Sequence, residues 1–389
     1  MLISLVVSDL SDPILGATTA LARHLACAFE VEIVGPDLGH GICPMYEDAW
    51  DYTRVELPRI YRFPNYVWDM RKLESAVSGE VVIAMKAVGN TVPVAYGKMR
   101  KGKKALVYLD EWDGAPMAEL PPRRRWAYFL RNIHHPLDTA YYPLVERLIP
   151  SLDHVISTST FLQRKFGGTI VPMGIDCDFF SPSSPDKQRQ LRQQLGLEGL
   201  NLVVFCGVVR PHKGIECILE ALARLNNAHN RFVIVGPHNE HVKALEADPR
   251  FAPYITCLGA KPRPEVPPYL SIADMVVLPL NDTLLAQSQT PCKIFEAMAM
   301  AKPVIATSVS DLPLILEGCG RVVPPNDVDA LAVAIRELID QPEQARALGA
   351  AAREKCIGHY SKEVTERQLV EVIERVLHGA PPSPRLATP

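Results

Sequence analysis

The segment LVVFCGVVRPHKGIECILEALARL, residues 202–225, decides the fold class. Its first six residues are almost continuously apolar, which is typical of a strand buried on both faces of a parallel sheet. A short polar loop follows, and from Gly214 onward the apolar residues recur with helical spacing. A buried strand that leads through a short loop into an amphipathic helix is the repeating unit of α/β proteins.

The same alternation of apolar runs and helical stretches occurs along the whole chain. We predict buried strands in the first half at residues 2–7, 30–35, 81–85, 105–110, 154–159 and 169–174. A second series lies at residues 202–207, 231–236, 254–259, 275–280, 303–307 and 320–323. This pattern predicts an α/β fold with two doubly wound, parallel-sheet (Rossmann-like) domains of six strands each.

The boundary between the two halves is a run rich in proline, serine and charged residues at 181–199. Such composition is typical of a linker, so the chain divides into several predicted parts. These are an N-terminal domain (1–175), a linker (176–199), a C-terminal domain (200–360), a last amphipathic helix (361–377) and a disordered, proline-rich tail (378–389). The last helix could cross back to the N-terminal domain.

Composition limits the possible classes of function. At 389 residues the chain is too long for one hydrophobic core, and its net charge of −3 gives no reason to expect nucleic acid as a partner. No apolar run approaches the roughly 20 residues that span a bilayer. The nine cysteines are scattered without a CxxC pair. We therefore expect free, mostly buried thiols in a cytoplasmic protein, and no metal site.

The stretch TPCKIFEAMAMAKPVIAT, beginning at Thr290, contains the predicted ligand-binding helix. Thr290 can cap this helix, and Pro291 suits its first position because proline has no N–H to leave unpaired. Outward-facing amides at a helix N-terminus form an anion site. The amides expected to do so belong to Cys292, Lys293 and Ile294.

Lys293 and Glu296 lie one turn apart on this helix, beside the apolar stripe of Ile294, Ala297, Met298 and Ala301. On spacing alone, two interpretations are equally supported. The two side chains could form an i,i+3 ion pair worth about 0.2–0.5 kcal/mol. Alternatively, Glu296 could accept two hydrogen bonds from the adjacent hydroxyls of a ligand.

Arg210 and Lys213 lie in the loop after the strand at 202–207. In open α/β sheets, ligands bind beyond the carboxyl ends of strands. A planar guanidinium and a mobile ammonium would suit a diphosphate there. An isolated R-x-x-K is more often a solvated loop, but a carboxylate-bearing helix in the same domain favours a ligand site. His212 has no predicted partner and is expected at the surface.

Several stretches together resemble the C-terminal domain of family 4 retaining glycosyltransferases (glycosyl transferases group 1). The resembling stretches are GVVRPHKGIECILEAL (207–222), RFVIVGP (231–237), ITCLGA (255–260), TPCKIFEAMAMAKPVIAT (290–307) and GRVVPPNDVDALAVAIREL (320–338). TIVPMGIDCDFFSP (169–182) resembles the family's segment before the linker. The resemblance implies the GT-B architecture, in which two Rossmann-like domains face a cleft.

The resemblance also implies an activity and roles for particular residues. It implies retaining transfer of a sugar from a UDP- or GDP-sugar to a hydroxyl acceptor, without a metal or other cofactor. Glu296 would hold the nucleotide ribose, while Lys213 and its companion Arg210 would bind the diphosphate and act in catalysis. The other implied donor-binding positions are Gly16 in an N-terminal glycine loop, Ala260 near the base, Thr290, and the amides of Cys292, Lys293 and Ile294.

Three positions depart from the family pattern. Ser288 replaces the first glutamate of the E-x7-E motif, and Val208 occupies the usual arginine position. YLDEWDGA (108–115) places carboxylates where the family often has a histidine, and Asp110 is kept as a weak catalytic candidate. Two alternatives to a glycosyltransferase therefore remain: a protein that binds a nucleotide sugar without catalysing a reaction, and a GT-B epimerase.

The N-terminal domain is expected to select the acceptor, which could be a glycan, a lipid-linked molecule or a small molecule. Basic residues occur in MRKGKKA (99–105), and basic and aromatic residues together in PPRRRWAYFLRNIHHP (121–136). The favoured interpretation is a solvated basic face with its aromatic side chains in the core. Weak peripheral contact with the inner face of a membrane is the alternative.

Overall fold

The computed structural model describes residues 1–57, 62–210 and 213–379 of the chain. These residues form two compact units. The first contains Met1–Met173, Ser288–Thr290 and the chain from Thr365, and the second contains Gly174–Gln287 and Pro291–Val364. His212 and residues 380–389 of the expected disordered tail lie outside the described residues.

The first unit is built on a parallel sheet in the order β3-β2-β1-β4-β5-β6-β7. Its strands are β1 (Leu2–Val6), β2 (Glu30–Asp37), β3 (Tyr52–Glu56), β4 (Val81–Met85), β5 (Lys104–Leu109), β6 (His154–Ser157) and β7 (Thr169–Ile170). The prediction of six strands missed β3. Only Val55 of its five residues is buried, because β3 lies at the edge of the sheet.

Helices cover both faces of this sheet. They are α1 (Leu15–Leu25), α2 (Tyr66–Ala76), α3 (Val92–Arg100), α4 (Ala115–Glu119), α5 (Pro122–Arg131), α6 (Tyr142–Val145) and α7 (Thr160–Phe166). Alternate strand residues face opposite sides, so that Ile3 and Ile83 belong to one hydrophobic core while Val82 and Val107 belong to another. The strands are buried on both faces, as their continuous apolar sequence predicts.

The second unit contains six parallel strands in two hydrogen-bonded groups, β10-β9-β8 and β11-β12-β13. They are β8 (Asn201–Cys206), β9 (Asn230–Val235), β10 (Ile255–Cys257), β11 (Val276–Leu278), β12 (Val304–Thr307) and β13 (Arg321–Val323). The Val204 amide donates to the Met275 carbonyl at 3.2 Å, which places β8 beside β11. The resulting order is that of a doubly wound sheet, so the predicted fold class is confirmed.

The helices of the second unit lie between and after these strands. They are α8 (Pro185–Gln194), α9 (Ile215–Leu225), α10 (Glu240–Ala247), α11 (Val266–Ser271), α12 (Leu284–Ser288), α13 (Lys293–Ala299), α14 (Leu312–Leu316), α15 (Val328–Asp340) and α16 (Pro342–His359). The last residue of α12, Ser288, belongs to the first unit.

Residues 176–199, which the composition assigns to a linker, fold as part of the second unit instead. Phe180 and Leu197 are buried in its core. Arg192 on α8 donates to the Ile272 carbonyl at 3.1 Å and pairs with Asp274 at 2.8 Å. A few spaced apolar side chains therefore anchor a run whose proline and serine content is typical of a linker.

The last helix, α17 (Lys362–Leu377), begins in the second unit and continues in the first. Its apolar residues Leu369, Val372 and Ile373 are buried in the core that also contains Ile3. The hydroxyl of Thr365 donates to the Pro172 carbonyl at 3.1 Å. The chain thus contributes its C-terminal helix to the unit in which it starts.

The nine cysteines are all free thiols. Cys27 is exposed, and the others are buried or half-buried. The absence of disulfides agrees with the scattered positions of these residues in the sequence.

Candidate functional site

The second sheet has a switch point at its carboxyl edge, between β8 and β11. Helix α9 follows β8 and packs its apolar side chains against Phe205 on one face of the sheet. Helix α13 packs Ile294 and Met298 against Val204 on the opposite face. In doubly wound sheets the crevice between helices that leave in opposite directions is where ligands bind.

The start of α13 reaches the end of β8 at this switch point. The ammonium group of Lys293 lies over Gly207, so that a methyl group on Gly207 would be 2.6 Å from Nζ. Gly207 has φ +136°, a conformation that only glycine adopts readily. The Lys293 ammonium is also 5.6 Å from the ring centroid of Phe205. The structure therefore brings Lys293 to the beginning of the predicted diphosphate loop.

Arg210 and Lys213 are joined by a backbone hydrogen bond, and a closely packed glycine follows Lys213. The Lys213 amide donates to the Arg210 carbonyl at 2.9 Å. Gly214, with φ +67°, packs so closely on the end of β11 that a methyl group there would be 2.0 Å from the Pro279 carbonyl oxygen. Lys213 is half-buried and Arg210 is exposed. The close packing at Gly214 requires glycine and holds Lys213 at the same edge as Lys293.

Glu296 lies on the same turn of α13 as Lys293 and is also half-buried. Both charges act on the thiol of Cys206, the last residue of β8. Burial raises the pKa of Cys206 to about 12, with Glu296 adding to the rise and Lys293 opposing it. Within the described ranges, Lys293 and Glu296 form no ion pair with each other. The helical ion pair considered from the sequence is therefore not formed.

The start of α13 differs from its predicted geometry. The helix begins at Lys293, its N-cap position is Cys292, and Thr290 does not cap it. The Thr290 hydroxyl instead donates to the Thr158 carbonyl at 3.1 Å, within the first unit. The Ile294 amide, predicted to face outward, donates to the Pro291 carbonyl at 3.1 Å. The helix also ends before Ala301, which has φ +54°.

The remaining predicted donor-binding residues lie on separate elements. Ala260 is exposed in the loop after β10. Gly16 belongs to the first turn of α1, and a methyl group there would be 2.5 Å from the Tyr46 hydroxyl. The prediction that Gly16 lies in a glycine loop is therefore wrong, because the helix has already begun and Tyr46 covers this position.

At the carboxyl edge of the first sheet, carboxylates outnumber the lysine that they surround, whereas the edge of the second sheet is rich in cations. Lys86, directly after β4, pairs with Glu111 and with Asp113, the latter at 3.4 Å. Burial alone would lower the pKa of Lys86, but Asp113, Asp110 and Glu111 raise it. Sequence reasoning found Asp110 but missed Lys86. A lysine immediately after a buried strand was the available signal.

Two carboxylates of this group hold their protons more tightly than usual. Burial raises the pKa of Asp113 to about 7, Lys86 opposes the rise, and Glu111 and Asp110 add to it. Burial likewise raises the pKa of Asp110, against the opposing charge of Lys86. One oxygen of each side chain, Oδ1 of Asp110 and Oδ2 of Asp113, is buried without a hydrogen-bond donor. These oxygens can accept hydrogen bonds from the hydroxyls of a ligand.

Ser288, the position of the missing family glutamate, is completely buried in the first unit. Its hydroxyl accepts a hydrogen bond from the Trp112 amide at 2.9 Å. Its carbonyl accepts one from the Ser159 hydroxyl at 2.7 Å, and the neighbouring Gln289 donates to Glu111. Ser288 is thus a structural residue that ties residues 288–290 to the loops after β5 and β6.

A pocket of about 560 Å³ adjoins the loop after β5 in the first unit. Its lining is mostly apolar and includes Trp112, Met117, Trp126, Phe129 and Leu144. The pocket lies between α5 and the segment that begins two residues after Asp110. An acceptor with an apolar portion could be accommodated beside the polar edge of the sheet.

The two doubly wound units place the protein in the GT-B class of folds. Sucrose-phosphate synthase from Thermosynechococcus elongatus superposes with a TM-score of 0.72 and 19% identity, covering 98% of this chain and 100% of that one. Anabaena HepE in complex with UDP superposes with a TM-score of 0.73 and 16% identity, covering 96% and 100%. These similarities establish the fold.

Residues 201–341 match the family described as Glycosyl transferases group 1. This match confirms the resemblance to glycosyl transferases group 1, and the protein is a glycosyltransferase of the GT-B type. The matched segment contains β8, the Arg210–Lys213 turn and α13. It therefore includes the whole switch-point region of the second unit.

Similar proteins include GDP-mannose-dependent alpha-(1-6)-phosphatidylinositol monomannoside mannosyltransferases. The protein from Mycolicibacterium smegmatis is 26% identical over 288 residues, which are 67% of this chain and 75% of that one. That from Mycobacterium tuberculosis is 28% identical over 269 residues, or 62% and 70%. Alpha-D-kanosaminyltransferase from Streptomyces kanamyceticus is 26% identical over 206 residues, or 51% and 52%.

Proposed function

We propose that this glycosyltransferase moves a sugar from a UDP- or GDP-sugar to a hydroxyl acceptor with retention of configuration. The observation that carries the proposal is the position of Lys293 over Gly207. It brings the helix bearing Glu296 to the loop bearing Arg210 and Lys213. The mannosyltransferase relatives are named as dependent on GDP-mannose, and HepE has been crystallised with UDP, which supports a nucleoside diphosphate donor.

The chemistry required is stabilisation of a departing diphosphate. Negative charge grows on the leaving group as the sugar–phosphate bond breaks, so cations held in place beforehand favour the transition state over the ground state. Arg210 and Lys213 would act on this charge directly. Lys293, fixed at Gly207, would add a third positive group. We propose that these side chains serve without a metal or other cofactor.

Glu296 would orient the donor through its ribose. A carboxylate accepts hydrogen bonds from two adjacent hydroxyls, and Glu296 has no ion-pair partner within the described part of the chain. Ala260, in the loop after β10, would lie near the base, while Cys292 and Lys293 would contribute at the start of α13. The leaving phosphate would itself help to deprotonate the acceptor hydroxyl.

We propose a lipid-linked acceptor that binds to the first unit, at the cytoplasmic face of a membrane. The mycobacterial relatives are named for transfer to a phosphatidylinositol monomannoside. The apolar pocket beside Trp112 offers room for a hydrocarbon portion. The neighbouring oxygens of Asp110 and Asp113 would accept hydrogen bonds from the hydroxyls of the sugar or polyol head.

Thermal shift with a panel of UDP-, GDP-, ADP- and TDP-sugars tests the donor site. We expect one donor to raise the melting temperature of the native protein, and we expect Lys213→Ala and Glu296→Ala to abolish that rise. Lys243→Ala is the matched control, because Lys243 is exposed and pairs with Glu240 on α10, away from the switch point. Equal donor-induced shifts in all four proteins would refute the site assignment.

A second measurement distinguishes the enzyme from a binding protein. The stabilising donor is incubated with a membrane lipid extract, and nucleotide release is followed over time. We expect release by the native protein and none above background by Lys213→Ala. Stabilisation by the donor without release or transfer would favour a nucleotide-sugar-binding protein.

A further inference from the structure

Helix α5 exposes the side of the helix that would normally be buried. Trp126, Phe129, Leu130 and Ile133 occur at the i, i+3, i+4, i+7 spacing of an apolar stripe. None of the ten residues of α5 is buried, and Trp126 and Leu130 are 67% and 62% exposed. The interpretation favoured from the sequence, with the aromatic side chains in the core, is therefore wrong for Trp126.

The exposed apolar surface continues beyond α5. The ring of Phe129 lies 5.3 Å from that of Tyr141, which lies 6.4 Å from that of Phe63. Phe63 is itself 43% exposed, and the nearby Leu144 is 46% exposed. The aromatic side chains thus form one continuous patch on the first unit. Solvent-exposed apolar patches of this kind usually mark an interaction site.

Four exposed arginines border this patch. Arg123, Arg124 and Arg131 lie on α5, and Arg147 lies beside the pocket beneath it. All four are exposed, and none forms an ion pair or a side-chain hydrogen bond with another described residue. Arg125 differs, since its guanidinium donates to the carbonyls of Leu120 and Ala118. A chain of net charge −3 therefore places four exposed positive charges beside this patch.

We infer that this aromatic–arginine surface docks the protein on an anionic phospholipid bilayer. Tryptophan and other aromatic rings favour the boundary between headgroups and acyl chains, and arginines on the polar side of such a helix pair with lipid phosphates. A soluble polyanion would account for the arginines but not for the exposed Trp126 and Leu130. No described helix could cross a bilayer, so contact at this surface would be peripheral.

This docking goes beyond sugar transfer and does not depend on it. The residues concerned belong to the first unit, whereas the proposed donor contacts are tested by nucleotide binding in the second. The variants below should therefore keep the full thermal shift with the donor. A lost donor response with intact vesicle binding would count against the proposed function and leave the docking surface standing.

Flotation with vesicles is the test. We expect the native protein to float with phosphatidylcholine vesicles that contain phosphatidylglycerol, and not with pure phosphatidylcholine. Each basic residue near an anionic membrane contributes about 1 kcal/mol, so Arg123→Gln/Arg124→Gln/Arg131→Gln should weaken binding about 100-fold. Trp126→Ala/Leu130→Ala should weaken it at least 10-fold. All five positions are exposed, so these changes should not disturb folding.

Control variants remove the same number of positive charges, or one exposed leucine, from the second unit. Lys187→Gln/Arg189→Gln/Arg346→Gln removes three exposed positive charges from the second unit. Leu314→Ala truncates a leucine that is 59% exposed, close to the exposure of Leu130. We expect both control proteins to float like the native protein. Equal losses in control and test variants would show that overall charge or stability is responsible, and would overturn the inference.

Fluorescence on the native protein decides the matter if any variant fails to fold. Vesicles of brominated phosphatidylcholine and phosphatidylglycerol should quench a tryptophan signal that is missing from Trp126→Phe. Identical quenching of the native protein and Trp126→Phe would overturn the inference. So would tight binding of soluble polyphosphate combined with no flotation on anionic vesicles, because that result identifies a soluble polyanion as the partner.

Discussion

The carboxyl edges of the two sheets have the same architecture and opposite chemistry. In the second unit, the cations Arg210, Lys213 and Lys293 accompany the carboxylate of Glu296. In the first unit, the carboxylates of Asp110, Glu111 and Asp113 surround the ammonium group of Lys86. Both edges terminate parallel, doubly wound sheets in which the first strand neighbours the second and the fourth. The strand order therefore does not determine the charge of the site.

The two edges differ in the glycines of their loops and in the effect of burial on their charged groups. Glycines at 207 and 214 let the second unit bring cations close to the backbone at an edge that stays accessible, as an anion requires. The carboxylates of the first unit are half-buried, and burial raises the pKa of Asp113 to about 7. An edge rich in hydrogen-bond acceptors suits hydroxyl groups and disfavours a phosphate. The proposed division between donor and acceptor follows from this contrast.

Removing a cation from the basic edge should have the largest effect. Lys213→Ala should lower kcat/KM for sugar transfer about 10²–10³-fold, because a positioned charge that stabilises the leaving diphosphate is lost. Arg210→Ala should cost less, since Arg210 is more exposed than Lys213. Initial-rate kinetics with the donor found by thermal shift measures both effects.

The kinetic constants also separate catalysis from binding. A fall in kcat accompanies the loss of an interaction made in the transition state, whereas a rise in KM alone indicates uniform binding. Lys243→Ala should retain native kinetics. If Lys213→Ala retained native kcat and kcat/KM, the basic edge would not be the donor site and the contrast between the two edges would have no functional meaning.

Adding a carboxylate to the acidic edge should destabilise the first unit. Ser288→Glu restores the residue typical of the family, but Ser288 is completely buried and its segment contacts Glu111 through Gln289. A buried charge without a cationic partner, close to other carboxylates, should cost about 3 kcal/mol of unfolding free energy. We expect this loss in urea denaturation, without any gain in transfer activity.

Ser288→Ala is the matched control for that experiment. It removes only the hydroxyl that accepts from the Trp112 amide, and leaving this N–H unpaired should cost about 1–2 kcal/mol. Native stability together with faster transfer in Ser288→Glu would mean that a glutamate at 288 reaches the substrate, contrary to its packing in the first unit.

Local patterns in the sequence predicted most of the strands and the α/β fold class. The strand β8, the loop after it and helix α9 form within 25 consecutive residues, and their periodicity and glycines specify them without help from distant contacts. β3 was not predicted, because an edge strand with one buried residue has no apolar run in its sequence. The second unit's six strands all overlap predicted apolar runs.

The parts of the site that sequence reasoning misplaced depend on distant contacts. Thr290 does not cap the helix, and its hydroxyl donates a hydrogen bond to the carbonyl of Thr158, which is 132 positions away in the chain. Ser288 is held by Trp112, 176 positions away. Nor does any short motif couple Lys86 to Asp113, since the two meet only when β4 and β5 pair. Residue types at the site could be predicted, whereas their partners required the fold.

The smallest expected effect concerns the protonation of the acidic edge. Asp113 has a pKa of about 7 in the folded protein and 3.8 as its ordinary value, so between these limits the folded state binds more protons than the unfolded state. Stability from this group is fully present below pH 3.8 and is lost as the pH rises through 7.

The Asp113→Asn protein lacks this dependence. Unfolding free energies of the two proteins, measured from pH 5 to pH 8, should therefore diverge by about 2 kcal/mol, with the native protein losing more as the pH rises. Carboxylates outside this group titrate alike in both proteins and cancel in the difference, whereas Asp110 and Glu111 interact with Asp113 and contribute to it. Parallel curves would mean that Lys86 keeps Asp113 ionised throughout, and the acidic edge would then hold a full set of charges near neutral pH.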